Sequence, residues 1–274
     1  MHIIDIIKYF VLGLVQGIAE ILPISSSGHL ALLQQLFAVN PDNEAGFAIF
    51  VHFASLVALV IFFHKIIWQI IKGFVLFIFK KANEHKQDFW MGIYIIVASI
   101  PAALVGFLLE DRIDAIFSNL MVVGLGFLFT ATLLFLWPKF GKKTTGQLTM
   151  KHAIVTGLFQ AIGIIPGVSR SGITITGAKI SGLEEKSAKQ FAFLLFVPIA
   201  LGSFVVSLFD INTLSGVQGA TLGYYLIAMA ASFIFTMLAL LFIFKKFQFK
   251  HAKYFGIYLV AIGLFTLFVA SMGA

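Results

Sequence analysis

The chain has 274 residues, of which 60% are hydrophobic and 11% charged, and its formal net charge is +7. This composition, with a mean hydropathy of +1.01, excludes an ordinary soluble protein and predicts one polytopic transmembrane domain of α-helices over residues 1–274. The positive charge does not indicate nucleic acid as a partner, because nearly all the lysines lie in short loops beside apolar segments. The absence of cysteine excludes disulfides, thiolate metal sites and a thiol nucleophile.

The first segment predicts a helical hairpin that enters the bilayer without crossing it. Residues 2–22 are apolar and helical in pattern, and Pro23 ends them. The returning arm, about Ser26–Phe37, is too short to cross ~30 Å of hydrocarbon. We therefore expect a re-entrant hairpin with its tip at Pro23–Gly28.

The rest of the chain predicts six full spans and a second hairpin. The spans are expected at about Gly46–Phe63, Phe89–Leu109, Asn119–Trp137, Gln190–Leu208, Gly219–Phe244 and Tyr254–Ser271. A polar stretch at 138–149 separates the first three spans from the second hairpin. That hairpin runs through His152–Ile165, turns at Pro166–Gly172 and returns to Ile180.

The two halves of the chain, about 1–138 and 149–274, repeat one another. A shift of 144 residues matches eight of the sixteen positions from Gly13 to Gly28 with their partners in the second half. Three full spans lie between the two hairpins, and this odd number predicts that the second half is inverted in the membrane. Inverted repeats with broken helices that meet near the midplane are a known membrane architecture.

The lysines predict the orientation in the membrane. Sixteen of them fall on one side of the predicted spans, whereas Lys8 and Arg112 fall on the other. The positive-inside rule makes the lysine-rich side cytoplasmic and places both termini outside. The first hairpin, and a site built on it, should then open outward.

The tip of the first hairpin carries the chemistry-bearing residues. Gln16 and Glu20 share one face of the first arm because they are four residues apart, and Ser26 and His29 share one face of the returning arm. A carboxylate at membrane depth costs at least ~2.5 kcal/mol, which marks a functional site by default. A hydroxyl beside an imidazole is the pattern of an activated nucleophile.

The second tip adds an anion site. Arg170 is its one ionised group, and inverted symmetry should bring it against the first tip. Arginine and the N-termini of two short helices suit a phosphate group. The predicted phosphate-binding residues are Gln16, Ser25, Ser27, Gly28, Ser169, Ser171 and Gly172, and Glu20 is a candidate ligand for a divalent cation.

Structural interpretations stand beside these functional ones. Any one of the tip serines could simply cap the second arm of its hairpin. Glu20 and Arg170 could form a structural ion pair. His29 could be a hydrogen-bonded core histidine, and His52, which lies in a span without polar neighbours in sequence, is interpreted as structural.

These motifs resemble a known family. Gln16-x-x-x-Glu20, residues 22–29 (Leu-Pro-Ile-Ser-Ser-Ser-Gly-His) and residues 166–172 (Pro-Gly-Val-Ser-Arg-Ser-Gly) together resemble the undecaprenyl-diphosphate phosphatases of the bacitracin-resistance family. Ser99–Ala102 and Phe193–Pro198 are also similar, so that the resemblance runs essentially from end to end.

The resemblance implies a bacterial plasma-membrane hydrolase. Its substrate would be a polyprenyl diphosphate lipid, which loses its terminal phosphate so that the monophosphate carrier returns to wall-polymer synthesis. Glu20, Ser26, His29 and Arg170 would be catalytic, with a divalent cation, Mg²⁺ or Ca²⁺, as cofactor. Gln16 stands where the family motif has its first acidic residue, which argues against a mechanism that needs two carboxylates on that helix.

The alternative function is transport or flipping of a phosphorylated lipid, since inverted repeats and re-entrant hairpins are common in transporters. A transporter alone has no need of Ser26, His29 and Arg170 together. A homodimer is compatible with this sequence.

Overall fold

The computed structural model describes residues 2–39, 44–80, 83–109, 116, 119–140, 144–209 and 220–272. Its helices are α1 (Ile3–Ile21), α2 (Ser26–Phe37), α3 (Glu44–Lys80), α4 (Lys86–Leu108), α5 (Leu120–Leu136), α6 (Met150–Ile162), α7 (Arg170–Ser181), α8 (Glu185–Leu194), α9 (Phe196–Phe209), α10 (Ala220–Lys245) and α11 (Ala252–Met272). These ranges contain no β-strand. Arg112, used above for orientation, lies outside the described residues.

The predicted number of spans is confirmed. Six helical segments of the described residues are long and apolar enough to cross a membrane, and they are Gly46–Lys80, Asn83–Leu108, Leu120–Lys139, Glu185–Ser207, Thr221–Lys245 and Phe249–Met272. Helix α4 continues through Pro101, as expected. The re-entrant character of the two hairpins and the inversion of the halves stay predictions.

Short helices α2 and α7 begin in the same way. Each has 12 residues and follows a serine whose hydroxyl accepts a hydrogen bond from the N–H of the glycine three residues on, Ser25 from Gly28 and Ser169 from Gly172. Serine is a preferred N-cap because its oxygen satisfies one of the four unpaired N–H groups at a helix start. The identical caps agree with the sequence repeat.

The tips of the two hairpins contact each other. The hydroxyl of Ser171 donates to the carbonyl of Leu22 at 3.1 Å. A Cβ atom at Gly28 would lie 3.0 Å from the Cα of Gly167 and 2.7 Å from the ring of Phe127. This close approach leaves room for glycine alone, and it brings the starts of α2 and α7 together.

The long helices pack in reciprocal pairs. Helix α1 lies along α10 and α6 lies along α4, and a glycine of the hairpin arm allows each approach. A Cβ atom at Gly13 would lie 2.1 Å from the carbonyl oxygen of Ala228, and one at Gly157 would lie 2.5 Å from that of Ala98. Small residues commonly let backbones approach in this way within membranes. The pairing ties each hairpin to a span from the other half.

One predicted span is divided in the structure. The segment expected as a single helix over Gln190–Leu208 breaks at Leu195, between α8 and α9. Pro198 explains the break, because it has no N–H for the carbonyl of Leu194 and its ring crowds that carbonyl. The break sets the position of Phe196, whose ring lies at the candidate site.

Candidate active site

Four helices place polar side chains around the carboxylate of Glu20. This residue lies at the end of α1, and only 3% of its side chain is exposed. The start of α2 contributes Ser26, the start of α7 contributes Arg170, and α3 contributes His52. A charge buried this deeply needs partners, and each of these elements supplies one.

Both oxygen atoms of Glu20 are engaged. Its Oε2 atom accepts hydrogen bonds from the Ser26 hydroxyl at 2.7 Å and from the Gln16 side-chain amide at 2.9 Å. Its Oε1 atom is ion-paired with the guanidinium of Arg170. Because the serine hydroxyl points at a carboxylate, Glu20 is positioned to take the proton of Ser26 if that hydroxyl attacks an electrophile.

The guanidinium of Arg170 is held between Glu20 and an aromatic ring. Its Cζ atom lies 3.8 Å from the centroid of Phe196, which is a favourable cation–π distance. Because this contact is with the face of the ring, it uses none of the arginine N–H donors that a further anion would need. The predicted meeting of Arg170 with the first tip is present in this arrangement.

A cavity of about 300 Å³ lies against this cluster. The polar residues of its wall at the two hairpin tips and on α3 are Glu20, Ser25, Ser26, Ser27, His52, Ser169, Arg170 and Ser171. Another part of the wall is apolar and includes Phe53, Ile164, Phe196, Ile199 and Phe204. Such a cavity suits a ligand with one polar end and one apolar end, and both hairpin tips line its polar end.

Apart from Ser171, whose hydroxyl donates to Leu22 of the other hairpin, the remaining tip residues make their hydrogen bonds mainly within their own hairpins. Ser25 and Ser169 are N-caps, so the backbone N–H groups of Gly28 and Gly172 donate to them rather than to the cavity. The hydroxyl of Ser27 lies 3.4 Å from that of Ser25. Of the residues predicted to bind phosphate, the structure brings the serines to the cavity wall and leaves Gln16 and the two glycines behind it.

His29 lies away from the hydroxyl of Ser26. Its Nδ1 atom is 2.7 Å from the carbonyl oxygen of Ser25, and its Nε2 atom is 2.6 Å from the hydroxyl of Tyr258, against whose ring it stacks. The expected pairing of Ser26 with His29 is therefore not formed, because α2 turns His29 toward α11 while Ser26 points at Glu20. The contact holds Ser25, whose φ of 70° is a strained value for a residue with a side chain.

His52 is the site residue that the sequence interpretation missed. Its Nε2 atom lies 3.4 Å from Oε2 of Glu20, its side chain is 32% exposed, and it lines the cavity. Its position in a span without polar neighbours suggested a structural role. The better signal was the ionisable side chain itself, since such groups inside a membrane segment usually mark a functional site.

The side chains around Glu20 do not fit a resident metal centre. The described residues contain no group of three or more histidine, cysteine or acidic side chains that could hold an ion. Both oxygen atoms of Glu20 already face donors, and the nearby acceptor left over is the buried, unpaired Oε1 atom of Gln16. Mg²⁺ needs six oxygen ligands and Ca²⁺ six to eight, so these residues alone are too few.

Comparison with known proteins shows what the chain is related to. The sequence profile described as "Bacitracin resistance protein BacA" matches residues 9–265. The chain belongs to the bacitracin resistance protein BacA family. The predicted resemblance is confirmed by this match, which covers the tips of both hairpins, five of the six apolar segments in full and the sixth as far as residue 265.

Named relatives in the BacA family align along nearly their whole length. The chain is 37% identical over 263 residues to undecaprenyl-diphosphatase 2 of Bacillus thuringiensis, covering 96% of this chain and 97% of the relative. It is 38% identical to undecaprenyl-diphosphatase of Oceanobacillus iheyensis, with 96% of each chain covered. It is 40% identical to undecaprenyl-diphosphatase of Thermosipho africanus, with 96% and 99% covered.

Proposed function

We propose that this membrane enzyme hydrolyses undecaprenyl diphosphate to undecaprenyl phosphate and inorganic phosphate, and so recycles the lipid carrier for cell-wall synthesis. The observation that carries the proposal is the Ser26–Glu20–Arg170 cluster on the wall of a cavity. A nucleophile, a proton acceptor and a guanidinium are the groups that phosphoryl transfer requires. The names of the aligned relatives give the substrate.

The cluster supports a two-step reaction. Oγ of Ser26 attacks the terminal phosphorus, its proton passes to Glu20, and the bond to the bridging oxygen breaks with its electron pair leaving on undecaprenyl phosphate. Arg170 balances the negative charge on the transferred group. Water then attacks the phosphoserine, inorganic phosphate leaves, and the oxygen of Ser26 takes its proton back from Glu20.

The helix starts and the cavity account for binding. The positive ends of the α2 and α7 helix dipoles and Arg170 at the start of α7 favour a diphosphate. The apolar wall at Phe53, Ile199 and Phe204 accommodates the first units of the prenyl chain. The remainder of the chain would lie in the bilayer, because 300 Å³ is too small for a long polyprenyl group.

Any divalent cation would enter with the diphosphate. Mg²⁺ commonly keeps several waters and takes its other ligands from substrate phosphates and one or two carboxylates. Such an ion would add charge neutralisation at the diphosphate. The protein groups described above perform the attack and the proton transfers themselves.

The distribution of lysines in the loops supports an orientation in the membrane. The enzyme would lie in the bacterial plasma membrane with both termini outside, because the lysine-rich loops favour the cytoplasmic side. The cavity would then receive its substrate from the outer leaflet.

A phosphate-release assay tests the proposal against the transport alternative. Purified protein is reconstituted with undecaprenyl diphosphate, and inorganic phosphate is measured with and without chelator. We expect release of one phosphate per lipid, together with undecaprenyl phosphate as the lipid product. Movement of the intact diphosphate lipid across the bilayer without phosphate release would instead establish a transporter.

A further inference from the structure

We infer that His52 is the base that activates the water in the second step, the hydrolysis of phosphorylated Ser26. The inference rests on the function proposed above and adds a catalytic residue to it. It starts from the position of the imidazole, which lies on α3 rather than on either hairpin tip.

The orientation of the His52 ring is fixed by its own helix. Its Nδ1 atom lies 2.8 Å from the carbonyl oxygen of Ala48, one turn earlier in α3. A carbonyl only accepts, so Nδ1 carries a hydrogen, and in the neutral ring the lone pair is then on Nε2. That nitrogen faces the cavity and Glu20. The ring is therefore held with its basic atom toward the site.

The position of Nε2 suits a water that attacks Ser26. One atom, Oε2 of Glu20, contacts both the Ser26 hydroxyl at 2.7 Å and Nε2 of His52 at 3.4 Å. A phosphoryl group on Ser26 would thus lie within reach of a water bound to the imidazole. The polar wall that contains both residues belongs to the cavity of about 300 Å³, which leaves room for that water.

The other candidate bases are already engaged. Glu20 receives the proton of Ser26 in the first step and must return it to the same oxygen in the second. His29 does not line the cavity, and its Nε2 atom faces the hydroxyl of Tyr258 rather than the site. Among the residues that line the cavity, His52 is the one imidazole, so a separate base for water is available only there.

The proton and bond changes balance. The water oxygen bonds to phosphorus as the bond from phosphorus to Oγ of Ser26 breaks. The water proton passes to Nε2 of His52, and the serine oxygen regains its proton from Glu20. His52 then gives its proton to the departing phosphate or to solvent, which restores the starting state.

The decisive variant is His52→Ala. General bases contribute about 10²–10⁴-fold to rate, so we expect a loss of that size in kcat, because the second step becomes limiting. Substrate labelled in its terminal phosphate should then leave label on the protein after an acid quench, approaching one phosphate per active molecule. Adding Ser26→Ala to the same variant should remove that label.

Two further measurements separate catalysis from folding. Free imidazole, which the vacated space can admit, should restore part of the turnover of His52→Ala, and a purely structural defect would not respond. His64→Ala is the matched control, because His64 lies on the same helix, bonds Nδ1 to the carbonyl of Ile61 at 2.7 Å and is exposed. Its turnover should equal that of the wild type.

The possible outcomes separate a failure of the proposed function from a failure of the role inferred for His52. Failure of the wild type to release phosphate would overturn the proposed function and the inference with it. Active wild type with His52→Ala within threefold of its rate would overturn the inference alone. A His52→Ala variant that lost its rate without accumulating phosphorylated protein would also overturn the inference and leave the proposed function standing.

Discussion

Replacing Arg170 by alanine should have two separable effects, one on folding and one on chemistry. The guanidinium is ion-paired with a carboxylate of which only 3% is exposed, and its removal leaves that charge buried without its arginine partner. Breaking a buried pair in this way costs about 3–5 kcal/mol of stability. The same variant loses the group that balances charge on the transferred phosphoryl, which is worth about 10³–10⁵ in turnover, or about 4–7 kcal/mol.

A double variant isolates the chemical effect. In Glu20→Gln combined with Arg170→Met, both charges are gone, the amide can still accept from Ser26, and the methionine can still lie on the ring of Phe196. Replacing a buried ion pair by neutral groups of similar size is often neutral for stability. We therefore expect stability close to that of the wild type and turnover below detection.

Conservative replacement completes the series. Arg170→Lys keeps the charge but has neither the planar fork nor the flat face that stacks on Phe196. We expect it to recover only a small part of the rate. Near-normal turnover by the lysine variant would mean that charge alone suffices.

The assays are thermal unfolding in detergent and phosphate release from undecaprenyl diphosphate, measured on the same preparations. The reasoning would be refuted by a double variant that turns over within tenfold of the wild type. It would also fail if Arg170→Ala unfolded at the wild-type temperature, since Glu20 would then not need its partner.

Three other perturbations test the nucleophile, the packing and the orientation. Ser26→Ala should lose at least about a thousandfold in turnover, whereas loss of one neutral phosphate hydrogen bond would cost only about 1 kcal/mol, roughly fivefold to tenfold. Gly13→Ala should lower the free energy of unfolding by about 1–3 kcal/mol, because the Cβ of the alanine would lie 2.1 Å from a carbonyl oxygen of α10. A cysteine at Gln35 should react in intact cells with a membrane-impermeant thiol reagent, while a cysteine at Lys80 should be protected.

Each of these has a matched control. Ser27→Ala removes a hydroxyl whose contact is a neighbouring serine at 3.4 Å, so its turnover should change by a few-fold at most. If Ser27→Ala were inactive and Ser26→Ala kept a tenth of the rate, the nucleophile would be misassigned. A Cβ atom at Gly106 would have no neighbour within 4 Å, so Gly106→Ala should leave stability unchanged. Labelling at Lys80 with protection at Gln35 would reverse the orientation.

The helix ends were predictable because their signals are local. Proline and a capping serine lie next to each other in sequence at the first tip, and the predicted arm Ser26–Phe37 is the helix observed. The break at Leu195 was not predicted, although Pro198 follows it closely. A proline alone does not predict a break, because Pro101 lies inside a continuous helix. Whether a proline bends or divides a helix depends on what the neighbouring helices offer to the freed carbonyl.

The two histidines show where sequence reasoning ends. Positions 26 and 29 share a helix face, so a hydroxyl–imidazole pair was a sound expectation. Tertiary packing decides otherwise, because the tyrosine that binds His29 comes from α11 and lies 229 residues away. His52 reaches Glu20 from a different helix, and no spacing within one segment can predict such a contact.

The chemistry of the site also limits what the repeat can mean. The shift of 144 residues pairs Glu20 with Ile164, Ser26 with Arg170 and His52 with Phe196. The first half thus carries the proposed nucleophile and both proposed proton acceptors, and the second carries the guanidinium and the ring against which it lies. Neither half could build a complete site from its own residues. The two tips must therefore meet for the proposed catalysis. This requirement explains why small residues lie where the tips touch. It also explains why a chain with two similar halves is expected to have one active site of this composition.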